Sequence, residues 1–171
     1  KISALLKHSR VQLLFRASRQ GFTPQAFGTA CAQKGPSIMI VHNEYDRVFG
    51  AYTSLLWGLD SARSGDTYKR CDPDALLFLI RPYIKYFPFR SVNESGECAV
   101  WSEHMVDVDY KTICTGFGAR PDVWTHFLQT ETSSGCQSPF TWNFEPSEIS
   151  GKEGDGTAFD IKDCEVFLIE I

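Results

Sequence analysis

Hydrophobic and polar positions in the first part of the chain follow a helical period. Residues 22–27 read Phe-Thr-Pro-Gln-Ala-Phe, which combines a capping threonine, a proline suited to the first helical position and two phenylalanines at staple spacing. Phe27 and Cys31 then share one face, and the Lys-Gly-Pro run at 34–36 supplies a cation, a glycine expected to cap the helix end and a proline that stops the helix. The pattern predicts a helix of about three turns that begins after Thr23.

The pattern changes to that of strands after the proline at 36. Residues 37–42 and 47–53 are rich in β-branched and aromatic side chains, and the polar run 43–46 between them indicates a hairpin loop. Gly50 lies inside the second of these segments. A glycine at such a position indicates a close approach by a neighbouring chain or ring.

Further strand patterns follow towards the C-terminus, at 75–80, 97–102, 106–110 and 159–171. In the last of these, both alternating sets from 164 to 169 are apolar except Glu165, which predicts a central strand covered on both faces. Helical patterns of crossover length do not alternate with the strands, so antiparallel pairing is expected. The predicted fold class is α+β, a two-layer antiparallel β-sandwich flanked by short helices.

The remaining segments carry weaker patterns. Residues 2–8 are a short helix candidate, and 11–17 either continues that helix or stands apart from it. Loops are predicted at 60–74, 129–139 and 147–157. The chain shows no internal repeat and no dividing linker, so residues 1–171 are predicted to form a single domain. Because it starts at a lysine and lacks the pattern of a secretory signal, we expect this domain to come from a longer chain.

Composition restricts the function classes. The chain has 171 residues, a net charge of −4, 43% hydrophobic residues and 22% charged residues. These values are typical of an ordinary globular domain, and they argue against disorder and against a basic nucleic-acid binder. The longest apolar run is far shorter than the roughly 18 residues that cross a bilayer. We therefore expect a cytoplasmic domain with no nucleic-acid partner and no membrane span.

Cysteine and histidine positions predict neither a metal site nor a cofactor. The six cysteines lie tens of residues apart, with no paired spacing typical of zinc. All six are expected to be reduced, because a core of this size needs no disulfides. Cys71 follows Lys69 and Arg70 in a predicted loop, and nearby cations lower the pKa of a thiol. Cys71 is thus the candidate reactive thiol.

The sequence gives little support for a catalytic role of the other candidate groups. Asp107 and Asp109 share one side of a predicted strand, as solvent-facing carboxylates commonly do. His42, His104 and His126 lack the spacing of metal ligands. The glycine-rich run 151–156 lacks the order of a phosphate-binding loop. Residue chemistry alone therefore indicates an acidic domain without a recognisable catalytic constellation.

Several short patches occur in a fixed order from residue 13 to residue 169. The patches are Leu-Leu-Phe-Arg-Ala-Ser-Arg-Gln-Gly-Phe at 13–22, Phe27, Lys-Gly-Pro at 34–36, Val-Phe-Gly-Ala-Tyr-Thr-Ser at 48–54 with Trp57, Gly-Phe-Gly at 116–118 with Asp122, and Phe-Asp-Ile-Lys-Asp-Cys-Glu-Val-Phe at 159–167. In this order, and covering almost the whole chain, they resemble the TLDc domain, the module of the oxidation-resistance protein family.

The resemblance implies a sandwich of two antiparallel sheets in a cytosolic module, usually near the C-terminus of a larger protein. It also implies protection against oxidative damage, and binding and regulation of the vacuolar proton-pumping ATPase at the surface of acidic organelles. Gly116, Phe117, Gly118 and Asp122 match the family signature, and Glu165 matches the acidic residue of its closing strand. The family supplies no catalytic residue to carry over.

Three hypotheses from different classes follow. The leading one is a non-enzymatic interaction module whose partners are subunits of the vacuolar ATPase. The second is a thiol-based antioxidant enzyme that uses a cysteine such as Cys71. The third is a structural component of a cytoskeletal or microtubule assembly. The observation that would favour the first hypothesis is a contiguous exposed apolar patch of a few hundred Å² on the structure, because such patches mark docking surfaces.

Overall fold

The computed structural model describes most of the N-terminal half of the chain and the closing strand, together with shorter segments between them. The described residues are 9–57, 67–70, 72, 74–87, 100–103, 112–117, 123–128, 133–136, 145–152 and 158–170.

Eleven strands and three helices lie within these residues. The strands are β1 (Arg10–Arg16), β2 (Ser37–Asn43), β3 (Val48–Thr53), β4 (Thr67–Arg70), β5 (Leu76–Arg81), β6 (Lys85–Phe87), β7 (Val100–Glu103), β8 (Thr112–Phe117), β9 (Val123–Leu128), β10 (Ser133–Cys136) and β11 (Ala158–Glu170). The helices are α1 (Ala17–Gln20), α2 (Pro24–Cys31) and α3 (Pro146–Ser150).

All paired strands run antiparallel in one hydrogen-bonded network. The strand order is β4-β7-β8-β9-β10-β11-β2-β3-β5-β6, and β1 pairs separately with β11. The prediction of an antiparallel, β-dominated fold with short helices is confirmed. The strands form a single continuous sheet, however, so the two-layer sandwich stays a prediction.

Strand β11 joins the network because it pairs along both of its edges. Its first residues pair with β10, and residues from Ile161 to Leu168 pair with β2. Its last six residues also pair with β1. Cys164 and Val166 are fully buried on one face, and on the other face Glu165 and Phe167 are half-buried and Ile169 is buried. The predicted central position of this strand is confirmed.

The predicted hairpin of β2 and β3 is present, and Gly50 explains how closely its strands are packed. Gly50 pairs with Ile40 in β2 and with Phe78 in β5. A Cβ atom at Gly50 would lie 2.6 Å from the carbonyl oxygen of Met39 and 2.8 Å from the Phe78 ring. The expected close approach of a chain and a ring is therefore confirmed.

Helix α2 begins as predicted and ends earlier. The Thr23 side chain accepts a hydrogen bond from the Ala26 backbone N–H at 3.2 Å, which caps the first turn. The helix ends at Cys31, and Gln33 takes a left-handed conformation with φ 57°. The backbone of Trp57 binds residues 33 and 34 by two hydrogen bonds, and these draw the chain out of the helix. The predicted glycine cap at Gly35 is therefore wrong.

The main core lies between α2, β1 and the sheet. Phe27 contacts Phe15 on one side and Trp57 on the other, both edge-to-face with ring centroids 5.5 Å apart. The Trp57 indole N–H donates a 2.5 Å hydrogen bond to the Ser37 hydroxyl, so the buried polar end of this tryptophan is satisfied. These contacts hold α2 against one face of the sheet, where Phe15 of β1 and Ser37 of β2 meet it.

Several predicted segments differ from the structure. Residues 11–17, predicted as a possible helix extension, lie almost wholly in strand β1, because pairing with the exposed edge of β11 satisfies their backbone. The predicted loops at 60–74, 129–139 and 147–157 are interrupted by β4, β10 and α3, respectively. The strand predicted at 97–102 is observed as Val100–Glu103. The predictions for 2–8 and 106–110 lie outside the described residues.

Candidate interaction surface

The hairpin of β5 and β6 carries the largest group of exposed apolar side chains among the described residues. We call this group the hairpin patch: Ile80, Tyr83, Ile84 and Tyr86, which are 40, 52, 75 and 57% exposed. Since a large side chain has about 200 Å² of surface, the four expose roughly 450 Å². Patches of this size on a monomer are often functional.

The hairpin patch lies beside a small buried cluster. This second cluster comprises Ile38, Tyr52, Phe78 and Ile169, separate from the main core. Phe78 pairs with Tyr86 across β5 and β6, and their ring centroids are 6.3 Å apart. The exposed Tyr86 ring therefore rests on a buried ring, and Gly50 beneath Phe78 leaves the space that this arrangement needs.

Two carboxylates hold the base of the hairpin. Arg81 donates from Nη1 to Asp46 Oδ1 at 2.8 Å, and His42 Nε2 lies 3.0 Å from the same oxygen. Lys85 donates from Nζ to Glu148 Oε1, which the Tyr83 hydroxyl also approaches at 3.4 Å. The tip between Arg81 and Lys85 is thus anchored from both sides.

The ionisation of both carboxylates favours this anchoring. The hydrogen bond from His42 holds the pKa of Asp46 below its usual value, and the Arg81 charge adds to the effect. Burial opposes the ionisation of Glu148. The hydrogen bonds from Lys85 and from the Glu145 backbone outweigh it, so the pKa of Glu148 is also lowered. Both groups are charged at neutral pH.

Helix α3 presents Glu148 to the hairpin and is itself fixed to β2. Glu148 closes a capping box with Glu145, and Gly151 ends the helix in the left-handed conformation at φ 79°. The buried Asn43 side chain donates to the Ser150 carbonyl at 2.9 Å and accepts from the Arg47 backbone N–H, also at 2.9 Å. The short helix is therefore positioned by the β2–β3 turn.

Of the residues that match the family signature, Glu165 is the one whose side chain the structure describes. Gly116 and Phe117 lie at the end of β8, paired with β7 and β9. Gly118 and Asp122 lie outside the described residues, as does Cys71.

Glu165 belongs to a polar cluster that links the first and last of the resembling patches. Arg16 Nε lies 2.9 Å from Asp163 and 3.3 Å from Glu165. Ser18 donates to Asp163 through both its backbone N–H, at 3.0 Å, and its hydroxyl, at 2.8 Å. These bonds outweigh the cost of burial and hold the pKa of Asp163 below its usual value. The cluster fastens β1 and α1 to β11, which gives Glu165 a structural contact.

The two cysteines whose side chains the structure describes are unlike reactive thiols. Cys31 and Cys164 are fully buried and unpaired with each other as a disulfide. Burial raises the pKa of Cys31 to about 12 and raises that of Cys164 well above its usual value. A reactive cysteine needs a lowered pKa and access to solvent. Neither residue supports the thiol-enzyme hypothesis.

Within the described segments, no three side chains of the metal-ligating types come together. Helices of the length and apolar character that cross a bilayer are likewise not found in those segments.

The hairpin patch is not among the sites that the sequence patterns predict. Residues 82–84 separate two strands and read Pro-Tyr-Ile, although turn positions are usually polar. That departure is the available signal. The carboxylates Asp46 and Glu148 had no such signal, because they meet the hairpin from elements 35 and 63 residues away in the chain.

The comparison with protein families agrees with the order of the sequence patches. The TLDc domain model matches residues 2–170, essentially the whole chain. A search of curated proteins gives no match to this chain. TLDc domains are generally protein-interaction modules, which accords with an exposed apolar patch and buried, unreactive cysteines. This chain belongs to the TLDc family, the module of the oxidation-resistance proteins.

Proposed function

We propose that this chain is a non-enzymatic interaction module that docks through the hairpin patch. The observation that carries the proposal is the exposure of four large apolar side chains on one hairpin, anchored by two ion pairs. Exposing these side chains to water is unfavourable, and a partner that covers them gains that free energy. Tyrosine is also among the residues that contribute most to binding at interfaces.

The proposed partner is a cytosolic subunit of the vacuolar proton-pumping ATPase. Membership of the oxidation-resistance family supports this choice. Docking on the pump would place the module in the cytoplasm, at the surface of acidic organelles, and would connect it to resistance against oxidative damage. Turnover of an oxidant by the module itself is not part of the proposal.

A two-layer arrangement is part of the same proposal. Strand β11 pairs with β10 at its first residues and with β2 from Ile161 onward, with a register shift between Ile161 and Asp163. An irregularity of this kind bends a strand and increases its twist. The bend supports a fold in which β4 and β7–β10 leave the plane of the remaining strands and form a second layer.

The test is capture of purified pump subunits by the chain. Burying the 75% exposed side chain of Ile84 is worth about 1.5–3 kcal/mol, so Ile84→Ser is expected to weaken capture about ten-fold or more. Leu56→Ser is the matched control, because Leu56 is 51% exposed and lies outside the hairpin. Failure of the folded chain to capture the pump, or equal capture by the Ile84 variant, contradicts the proposal.

A further inference from the structure

Strand β1 forms an edge of the sheet, at the opposite end of the run β1-β11-β2-β3-β5-β6 from the hairpin patch. Within the described part of the chain, β1 pairs with one neighbour, as do β4 and β6. It has seven residues, whereas β4 has four and β6 has three. Among these three edge strands, β1 therefore offers the longest row of backbone groups.

The hydrogen bonding of β11 sets the direction of the β1 backbone. The Ile169 N–H donates to the Pro36 carbonyl at 2.9 Å, on the side of β11 where β2 lies. Backbone groups of successive residues alternate between the two edges of a strand, so Leu168 and Glu170 turn theirs towards β1. These two residues of β11 are therefore the ones that hydrogen-bond to β1.

The same alternation places the N–H and C=O groups of Val11 and Leu13 on the outer edge of β1. The residues opposite them, Ile169 and Phe167, turn their own backbone groups to the β2 side. Among the described residues, none hydrogen-bonds to Val11 or Leu13 from the outer side. An exposed edge of this kind is a template for a further strand.

The open stretch of this edge is short. The register shifts between Leu13 and Phe15, so the regular alternation ends there. The Arg16 N–H points outwards again, but Gln20 Oε1 accepts a hydrogen bond from it at 2.7 Å. The part of the edge that a further strand can use is therefore 10–13.

The side chains at the two open positions are exposed and apolar. Val11 is 53% exposed and Leu13 is 40% exposed. Both lie on the sheet face of Ile169 and Phe167, because residues opposite each other in antiparallel strands share a face. Edge strands are usually blocked by lysine, proline or other charges, yet residues 11–15 include none of these.

Arg10 adds a charge on the other face of the same edge. Its side chain is exposed, and it forms no ion pair within the described residues, not even with Glu170 opposite it on β11. An acidic side chain that lay opposite Arg10 on an added strand would pair with this charge. The edge thus offers apolar surface on one face and a cation on the other.

We propose that the open edge of β1 binds an extended segment of a partner protein, which joins the sheet as an antiparallel strand. Main-chain hydrogen bonds to Val11 and Leu13 hold the segment, and apolar side chains opposite these residues cover them. A carboxylate opposite Arg10 fixes the register. This surface is separate from the hairpin patch, and the inference does not depend on the proposed function.

A second copy of this chain fits the edge less well. Two β1 strands related by a two-fold axis at Gln12 would pair over 11–13 only, because the register shift after Leu13 would limit the contact at both ends. Three residues from each side fall well below the ~800 Å² that each partner of a stable complex buries. A short flexible segment suits a weaker, reversible complex.

The experiment measures the binding of fluorescent peptides to the chain by anisotropy. The parent peptide, acetyl-Thr-Ile-Thr-Val-Glu-Thr-amide, places its isoleucine opposite Leu13, its valine opposite Val11 and its glutamate opposite Arg10. One derivative carries N-methyl groups on the isoleucine and the valine. The matched derivative carries them on the middle threonine and the glutamate.

Antiparallel pairing turns the N–H groups of the peptide isoleucine and valine towards β1 and those of the middle threonine and glutamate away from it. We expect the first derivative to bind about ten-fold or more weakly than the parent peptide, because it loses the hydrogen bonds to β1. The matched derivative should keep the affinity of the parent peptide.

Protein variants test the same edge from the other side. Val11→Pro removes an N–H that β11 does not use, and an edge strand tolerates proline at such a position, so binding should fall about ten-fold. Arg10→Gln should weaken the parent peptide and leave a peptide with glutamine in place of glutamate unchanged. Arg19→Gln is the matched control, because Arg19 lies exposed on α1, outside β1.

Failure of the parent peptide to bind, or equal effects of the two methylation patterns, overturns this inference. So does unchanged binding by Val11→Pro whose thermal unfolding matches that of the parent chain; if that variant does not fold, the methylated peptides decide. Sedimentation of the chain alone tests the second copy. A dimer that Val11→Pro dissociates would overturn the inference, because the edge would then be occupied by the chain itself.

Discussion

Replacing Gly50 by alanine should destabilise the sheet beneath the hairpin patch. The added methyl carbon would lie 2.6 Å from the Met39 carbonyl oxygen and 2.8 Å from both Ile40 Cδ1 and the Phe78 ring. The two side chains can move by small rotations. The Met39 oxygen belongs to the paired backbone of β2, so its displacement disturbs the ladder between β2 and β3.

The expected magnitude follows from these contacts. Forcing an extra methyl group into a packed core costs about 1–3 kcal/mol. Alanine restricts the unfolded chain more than glycine does, and this effect stabilises the folded state by only about 0.4–1 kcal/mol, which offsets part of the steric cost. We therefore expect Gly50→Ala to lower the free energy of unfolding by about 1–2 kcal/mol. For a chain of this length, that corresponds to a fall in melting temperature of roughly 2–8 °C.

Urea denaturation followed by tryptophan fluorescence measures this change. Combining Gly50→Ala with Phe78→Leu tests the cause, because a smaller side chain removes one of the close contacts and should recover part of the loss. Gly21→Ala is a useful contrast: its Cβ meets nothing within 4 Å, and its cost arises from a φ of 100°. A Gly50→Ala protein as stable as the parent, within about 0.5 kcal/mol, would refute the steric argument.

Three further predictions concern buried groups and one ion pair. Ser37→Ala leaves the Trp57 indole N–H without its acceptor and should cost about 1–3 kcal/mol of unfolding free energy, measured by urea denaturation; a cost near zero contradicts the assigned bond. The lowered pKa of Glu148 means that its stabilisation is present above its usual value of 4.5 and is lost as the pH falls through the folded-state pKa. Glu148→Gln should therefore lose less stability than the parent as the pH falls below 4.5, as thermal unfolding at each pH would measure. Identical pH profiles of the two proteins would exclude this role. Cys31 and Cys164 should resist iodoacetamide at pH 8 in the folded chain and react fully in urea, as mass spectrometry of the peptides would show, whereas rapid native labelling would contradict their burial and raised pKa.

The sequence pattern correctly predicted those structural features that are caused by interactions between neighbouring residues of the chain. Thr23 caps α2 because its hydroxyl accepts from a backbone N–H three residues later. The β2–β3 hairpin forms because two apolar runs are joined by a short polar turn that Asn43 stabilises with its own side chain. Both features depend on neighbours in the chain, so the pattern predicted them correctly.

Strand β1 and helix α3 show where local signals fail. The segment 11–17 has apolar residues compatible with either structure, and it becomes a strand because the edge of β11, about 150 residues later, offers backbone partners. Helix α3 has only five residues, too short for a helical period to be visible. Pairing across a long sequence distance decided β1, whereas α3 is too short for its period to show in the sequence.

By itself, the sequence determined the family, the antiparallel β-dominated class, the central position of β11 and the close approach at Gly50, because these depend on residue order and alternation. Only the tertiary structure decided which apolar side chains stay exposed. Ile84 and Phe87 are both apolar residues of one short hairpin, yet Ile84 is 75% exposed and Phe87 is buried. That difference depends on which neighbours cover each position, and on Asp46 and Glu148 reaching the hairpin from remote elements.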